Sequence, residues 1–193
     1  METLISLTGK DYVLTASDMT AARSILVFKV NEDKTRDLSP HITMAFCGES
    51  GDTVQFAEFI QKNIRLYAIR NNFELSPKAA ANYVRTQLAE SLRSRSPYAV
   101  NVLIAGFDEH EGPELYWLDY LGTLCKIPFG AHGFASNFVL STLDNAYLPD
   151  MDLEQGIALL KSAIKVVQQR MLISQPNFQI KLVNKDGVSV IDI

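Results

Sequence analysis

Three histidines, His41, His110 and His132, and two cysteines, Cys47 and Cys125, are the side chains in this sequence best suited to hold a metal or attack an electrophile. Metal-binding sets pair such residues at short, regular intervals, and none of these five shows a ligand spacing with another. Ordinary structural roles are expected for them, with no metal and no cofactor. A second candidate is Gly48-Glu49-Ser50-Gly51. A phosphate loop would end in Gly-Lys followed by Ser or Thr, and a nucleophile elbow would read Gly-x-Ser-x-Gly. This stretch is neither, and a tight turn from strand to helix accounts for both glycines.

That turn organises the rest of the chain. Before it, residues 41–47 have the length and β-rich content of a buried strand. After it, Phe56, Ile60, Ile64 and Tyr67 recur at helical spacing through about Arg70, with Asp52 or Thr53 expected as the cap. Upstream, residues 3–7 and 12–16 are β-type runs joined by Gly9-Lys10-Asp11 as a hairpin, followed by strands at 24–28 and 34–38.

Downstream, Ser76-Pro77 opens a helix with a capping serine and a proline at its first position. It carries Ala80, Val84, Leu88 and Leu92 on one face to about Arg93. Residues 100–107 are apolar on both parities except at Asn101, the pattern of a strand covered on both sides. Further strands are expected at 114–118 and 123–127. Gly130-Ala131-His132-Gly133 then leads into a helix over 134–145, and Asp152-Leu153-Glu154-Gln155 opens the last helix with a capping box. The expected inward stripe of that helix is Leu153, Ile157, Leu160, Ile164, Val167 and Met171. A closing hairpin turns at 184–187. Strands, two helices, strands, two helices, strands is an α+β order. It fits a four-layer αββα sandwich of two mainly antiparallel sheets, each with a helix pair outside it.

Composition narrows the functions. The 193 residues form one expected domain, 1–193, with no linker, repeat or low-complexity tract. A net charge of -4 and a pI near 5.4 exclude a broad basic field, so nucleic acid is not an expected partner. The densest cationic cluster, Arg93-Ser94-Arg95, falls where a helix C-terminus favours cations. The longest apolar run, around 102–105, is far short of the roughly 18 to 20 residues that a membrane span needs. No basic segment followed by an apolar core opens the chain, so no secretion signal is expected. Two distant cysteines suit a reducing compartment, and cytoplasm and nucleus are the expected locations.

The element order, with a strand at the very start, resembles the N-terminal-nucleophile hydrolase fold, and the residues resemble the β subunits of the proteasome across essentially the whole chain. The carriers include Tyr12-Val13-Leu14-Thr15-Ala16-Ser17-Asp18, Asp33-Lys34-Thr35-Arg36, Gly48-Glu49-Ser50-Gly51-Asp52-Thr53-Val54-Gln55-Phe56, Asn63-Ile64-Arg65-Leu66-Tyr67, Arg93-Ser94-Arg95, Asp119-Tyr120-Leu121-Gly122 and Gly130-Ala131-His132-Gly133. Together they resemble the β-type subunit at the fourth position of the eukaryotic core-particle ring. Active members of that family attack peptides with the hydroxyl of an N-terminal threonine, whose own α-amine, helped by a lysine, takes the proton.

In this sequence Met1 and Glu2 precede Thr3, so the resemblance implies a member with no catalytic residue of its own. Asp18 and Lys34 align with the family's supporting aspartate and lysine. The downstream aspartate and serine have no counterpart in Arg170-Met171-Leu172-Ile173-Ser174-Gln175. The implied function is a structural β subunit of the core particle. Its implied partners are the other α and β subunits, in a seven-membered β ring within stacked rings that degrade unfolded, ubiquitin-tagged proteins. A 47% hydrophobic composition and a mean hydropathy of +0.03 suit extensive permanent interfaces. Two other readings stay open: a hydrolase activated by cleavage after Glu2, and a stand-alone α/β ligand-binding protein using the loop at 130–133.

Overall fold

A computed structural model describes residues 2–192. The chain opens with β1 (Thr3–Thr8) and β2 (Tyr12–Asp18), an antiparallel hairpin, and continues through β3 (Ala21–Arg23) and β4 (Leu26–Lys29), which pair only with each other. β5 (Thr35–Ser39) and β6 (Ile42–Gly48) lead into α1 (Asp52–Asn71) and α2 (Pro77–Leu92). β7 (Val100–Asp108), β8 (Gly112–Leu118), β9 (Leu124–Lys126) and β10 (Phe129–Gly133) precede α3 (Ser136–Ala146) and α4 (Leu153–Arg170), and β11 (Phe178–Asn184) and β12 (Gly187–Ile191) close the chain.

These strands form two five-stranded antiparallel sheets, ordered β10-β1-β2-β11-β12 and β5-β6-β7-β8-β9. Side-chain alternation explains the layering, because successive residues of a strand face opposite sides. Along β6, Ile42, Met44 and Phe46 pack under α1 and α2, while Ala45 and Cys47 face the other sheet. Along β7, Val102 and Ile104 face the helices, and Leu103 and Ala105 meet Leu4, Val13 and Val183 between the sheets. On the far side Ile5, Leu7, Leu14 and Ala16 pack against α3 and α4. The result is helices, sheet, sheet, helices, the expected αββα sandwich.

Several local expectations hold. Ser76 caps α2 by accepting the Ala79 N–H, with Pro77 at the first position. Asp152 and Gln155 form a reciprocal capping box on α4.

Others are corrected. Neither Asp52 nor Thr53 caps α1. Gly51 does, at φ 101 and without a side-chain bond, while the Glu49 carbonyl accepts the N–H groups of Asp52 and Thr53. The Asp52 carboxylate instead accepts the Ala99 N–H at 3.1 Å, tying the helix start to the strand entering beside it. The strand expected over 24–28 is a hairpin, because Ser24 turns the chain at φ 56. The stretch at 130–133 is not a loop but strand β10, paired along β1. Along α4 the fully buried line is Gly156, Leu159, Leu160, Ala163 and Val167, whereas Leu153 is exposed and Ile157, Ile164 and Met171 are half-buried. The small residues decide that rotation: a Cβ at Gly156 would lie 2.0 Å from the Tyr12 hydroxyl, so the helix rests on the Tyr12 ring at its glycine.

Candidate functional site

The residues aligned with the family's supporting chemistry converge where β1 begins, β2 ends and β5 begins. Asp18, fully buried at the end of β2, accepts three hydrogen bonds. Its Oδ1 takes the Thr3 N–H at 2.7 Å, and its Oδ2 takes the Thr20 N–H at 3.1 Å and the Lys34 ammonium at 2.8 Å. Lys34, just before β5 and also buried, donates to the Thr20 carbonyl at 2.8 Å and lies 3.6 Å from Glu2 Oε1. A charge removed from water needs a partner and hydrogen bonds on its remaining donors or acceptors, and both members of this pair have them.

Thr3 is held on every side. Its backbone pairs with Gly133 of β10, where only a glycine fits, since a Cβ there would come within 1.9 Å of the Glu2 carbonyl oxygen. Its hydroxyl donates to Gln175 Oε1 at 2.7 Å, and the whole residue is buried. With Glu2 before it, the Thr3 nitrogen is a peptide N–H that donates to Asp18, and its lone pair is delocalised into the Glu2 carbonyl, so it cannot accept a proton. Met1 lies outside the described residues.

The glycine turn completes the surroundings. Gly48 ends β6 at φ 149, packed so closely that a Cβ would lie 2.1 Å from the Ala99 carbonyl oxygen. Its N–H donates to Glu2 Oε2 at 2.7 Å. Glu2, Lys34, Gly48 and Thr20 line one cleft of about 760 Å³.

Asp18 and Lys34, the two residues the resemblance aligned with the family's supporting pair, thus meet in one cluster, whereas the bonds made by Glu2, Gly48 and Gln175 were not foreseen. From the segment after α4, the side chain that meets Thr3 is that of Gln175. No local signal marks a glutamine in an irregular segment as the partner of a residue at the other end of the chain.

The histidines and cysteines stand apart from this cluster or serve packing. His132 is buried and stacked on Trp117 at 4.7 Å between ring centroids, with its Nε2 3.1 Å from the Val102 carbonyl. Burial pushes its pKa down to about 4, against the pull of the Val102 and Leu118 carbonyls toward the charged ring. His41 Nε2 lies 3.1 Å from the Lys185 carbonyl. Burial holds the Cys47 thiol well above its ordinary range, so it is no nucleophile, and Cys125 is exposed on β9. No group of three or more metal-ligating side chains converges among the described residues.

Comparison with known proteins decides the family. The profile described as "Proteasome subunit" matches residues 1–183. The chain belongs to the proteasome subunit family. It is 48% identical over 193 residues to proteasome subunit beta type-4 of Saccharomyces cerevisiae, covering all of this chain and 98% of that one. The probable proteasome subunit beta type-4 of Neurospora crassa is 49% identical over 190 residues, covering 97% and 93% of the two chains. Proteasome subunit beta type-2 of Oryza sativa subsp. japonica is 47% identical over 187 residues, covering 97% and 88%. As a proteasome subunit this chain is built to assemble with other proteasome subunits, which the stand-alone ligand-binding reading does not accommodate. That reading also loses its loop, since residues 130–133 lie within β10.

Proposed function

We propose that this chain is a non-catalytic structural β subunit of the proteasome core particle, at the fourth position of a seven-membered β ring. Two such rings stack and are capped by α rings, and the chain helps to enclose the chamber in which unfolded, ubiquitin-tagged proteins are cut by neighbouring subunits. Its working locations are cytoplasm and nucleus.

One observation carries the reading. The family's chemistry needs a hydroxyl and a free amine on one residue. Thr3, the threonine at the start of β1, has its nitrogen in a peptide bond, donating to Asp18, and its hydroxyl tied to Gln175. Asp18 and Lys34 remain as a buried pair that ties the start of β1 to the end of β2. A buried pair whose own donors and acceptors are satisfied internally suits a structural role.

The competing reading is processing after Glu2, which would free the Thr3 amine. Intact-mass measurement of this chain from assembled particles separates the two. A mass that includes Glu2 is expected, and a mass beginning at Thr3 would overturn the non-catalytic reading.

A further inference from the structure

Glu2 is the one member of the cluster whose presence the Asp18–Lys34 pair does not require. Lys34 is already neutralised by Asp18 at 2.8 Å, yet a second carboxylate lies 3.6 Å from the same ammonium. The other oxygen of that carboxylate accepts the Gly48 N–H at 2.7 Å. A fixed backbone N–H and an ammonium facing one point are the elements of an anion site, because both offer donors and positive potential to the same oxygen pair. The Gly48 amide is fixed: its φ of 149 and the 2.1 Å approach that any Cβ would make to the Ala99 carbonyl leave the strand end little freedom. The same two groups line the 760 Å³ cleft, together with Thr20. Thr20 is among the residues lining the cleft, and its hydroxyl is buried with no hydrogen-bond partner among the described residues.

We propose that the Gly48 amide and the Lys34 ammonium form a carboxylate site, and that the chain fills it with its own Glu2 side chain. The glutamate is a built-in plug. It closes the cleft to free carboxylates and to the carbonyl oxygens of an extended peptide. This inference rests on the reading that Glu2 is retained in the assembled chain.

The test uses particles carrying Glu2→Ala, Glu2→Gln or the unchanged subunit, with structures determined in acetate and in chloride buffers. In Glu2→Ala, acetate is expected between Gly48 N and Lys34 Nζ. In the unchanged subunit the Glu2 carboxylate holds that place and acetate is absent. Glu2→Gln keeps an oxygen for the Gly48 N–H, so its acetate occupancy is expected to fall below half that of Glu2→Ala. Acetate absent from Glu2→Ala overturns the proposal, as does a Glu2 side chain turned away from Gly48 in the unchanged subunit. Equal acetate in all three subunits means an adventitious additive only and overturns it too. Glu2→Ser, too short to span to Gly48, is the second variant if the alanine form does not assemble. Failure of both to assemble also overturns the proposal, since a plug is dispensable for folding. Intact mass separates the two levels: a chain lacking Glu2 sinks the non-catalytic reading, whereas a chain retaining Glu2 with no acetate in Glu2→Ala sinks the plug alone.

Discussion

At the scale of single residues, the buried Asp18–Lys34 pair governs how the start of β1 is held. Removing one partner leaves an uncompensated buried charge, which costs about 3 to 5 kcal/mol. Lys34→Ala should therefore sharply reduce the amount of this subunit recovered in assembled particles. Lys34→Met combined with Asp18→Asn should recover part of the loss, since no charge is then left buried. Recovery of Lys34→Ala at wild-type levels would contradict this. His132 makes the second prediction at this scale. Its folded pKa of about 4 lies below the ordinary 6.5, so the unfolded chain takes up the proton first as pH falls. The stability tied to this ring is complete above pH 6.5 and is lost as pH falls toward 4, a change of about 3 kcal/mol for a shift of this size. Denaturant unfolding between pH 7 and 4 should show that slope, and His132→Phe should flatten it.

At the scale of elements, two glycines set how helices meet strands. Gly51 caps α1 at φ 101 with open space where a Cβ would lie, so what it supplies is backbone conformation and not room. Gly51→Val should lower incorporation into the particle through a strain of about 1 to 2 kcal/mol, and Gly51→Asn should be milder. Normal incorporation of the valine form would contradict this. Gly156 is the opposite case, since α4 there touches Tyr12. Gly156→Ala should destabilise the protein although alanine favours helix by about 1 kcal/mol, and Tyr12→Phe should relieve part of the cost by removing the nearest atom.

The same elements show what was legible from the chain alone. Ser76 and Asp152 were readable because a cap is a contact within four residues of sequence. The sandwich was readable because the order of strands and helices follows from periodicity. The buried stripe of α4 was not, since the rotation of that helix is fixed by a glycine lying on a tyrosine from the opposite end of the chain. The site divides along the same line. Asp18 and Lys34 could be aligned, whereas Gln175 and Glu2 act through contacts between segments that periodicity does not join.

At the scale of the whole molecule, the isolated chain leaves large apolar side chains uncovered. On the β3–β4 hairpin Ile25, Leu26 and Phe28 are 75%, 63% and 70% exposed, and Leu172 beyond α4 is 82% exposed. A chain built to assemble with other proteasome subunits is expected to cover such surface in its interfaces. The architecture is that of the proteasome subunit family, and Thr3 at the start of β1 is tied down by its own hydrogen bonds. The measurement that bears most directly on this is covalent labelling. Assembled particles are treated with a threonine-directed electrophile, and the masses of all subunits are read. The expected result is an adduct on other β subunits and an unshifted mass, retaining Glu2, for this one. An adduct on Thr3 of this chain would contradict the non-catalytic role.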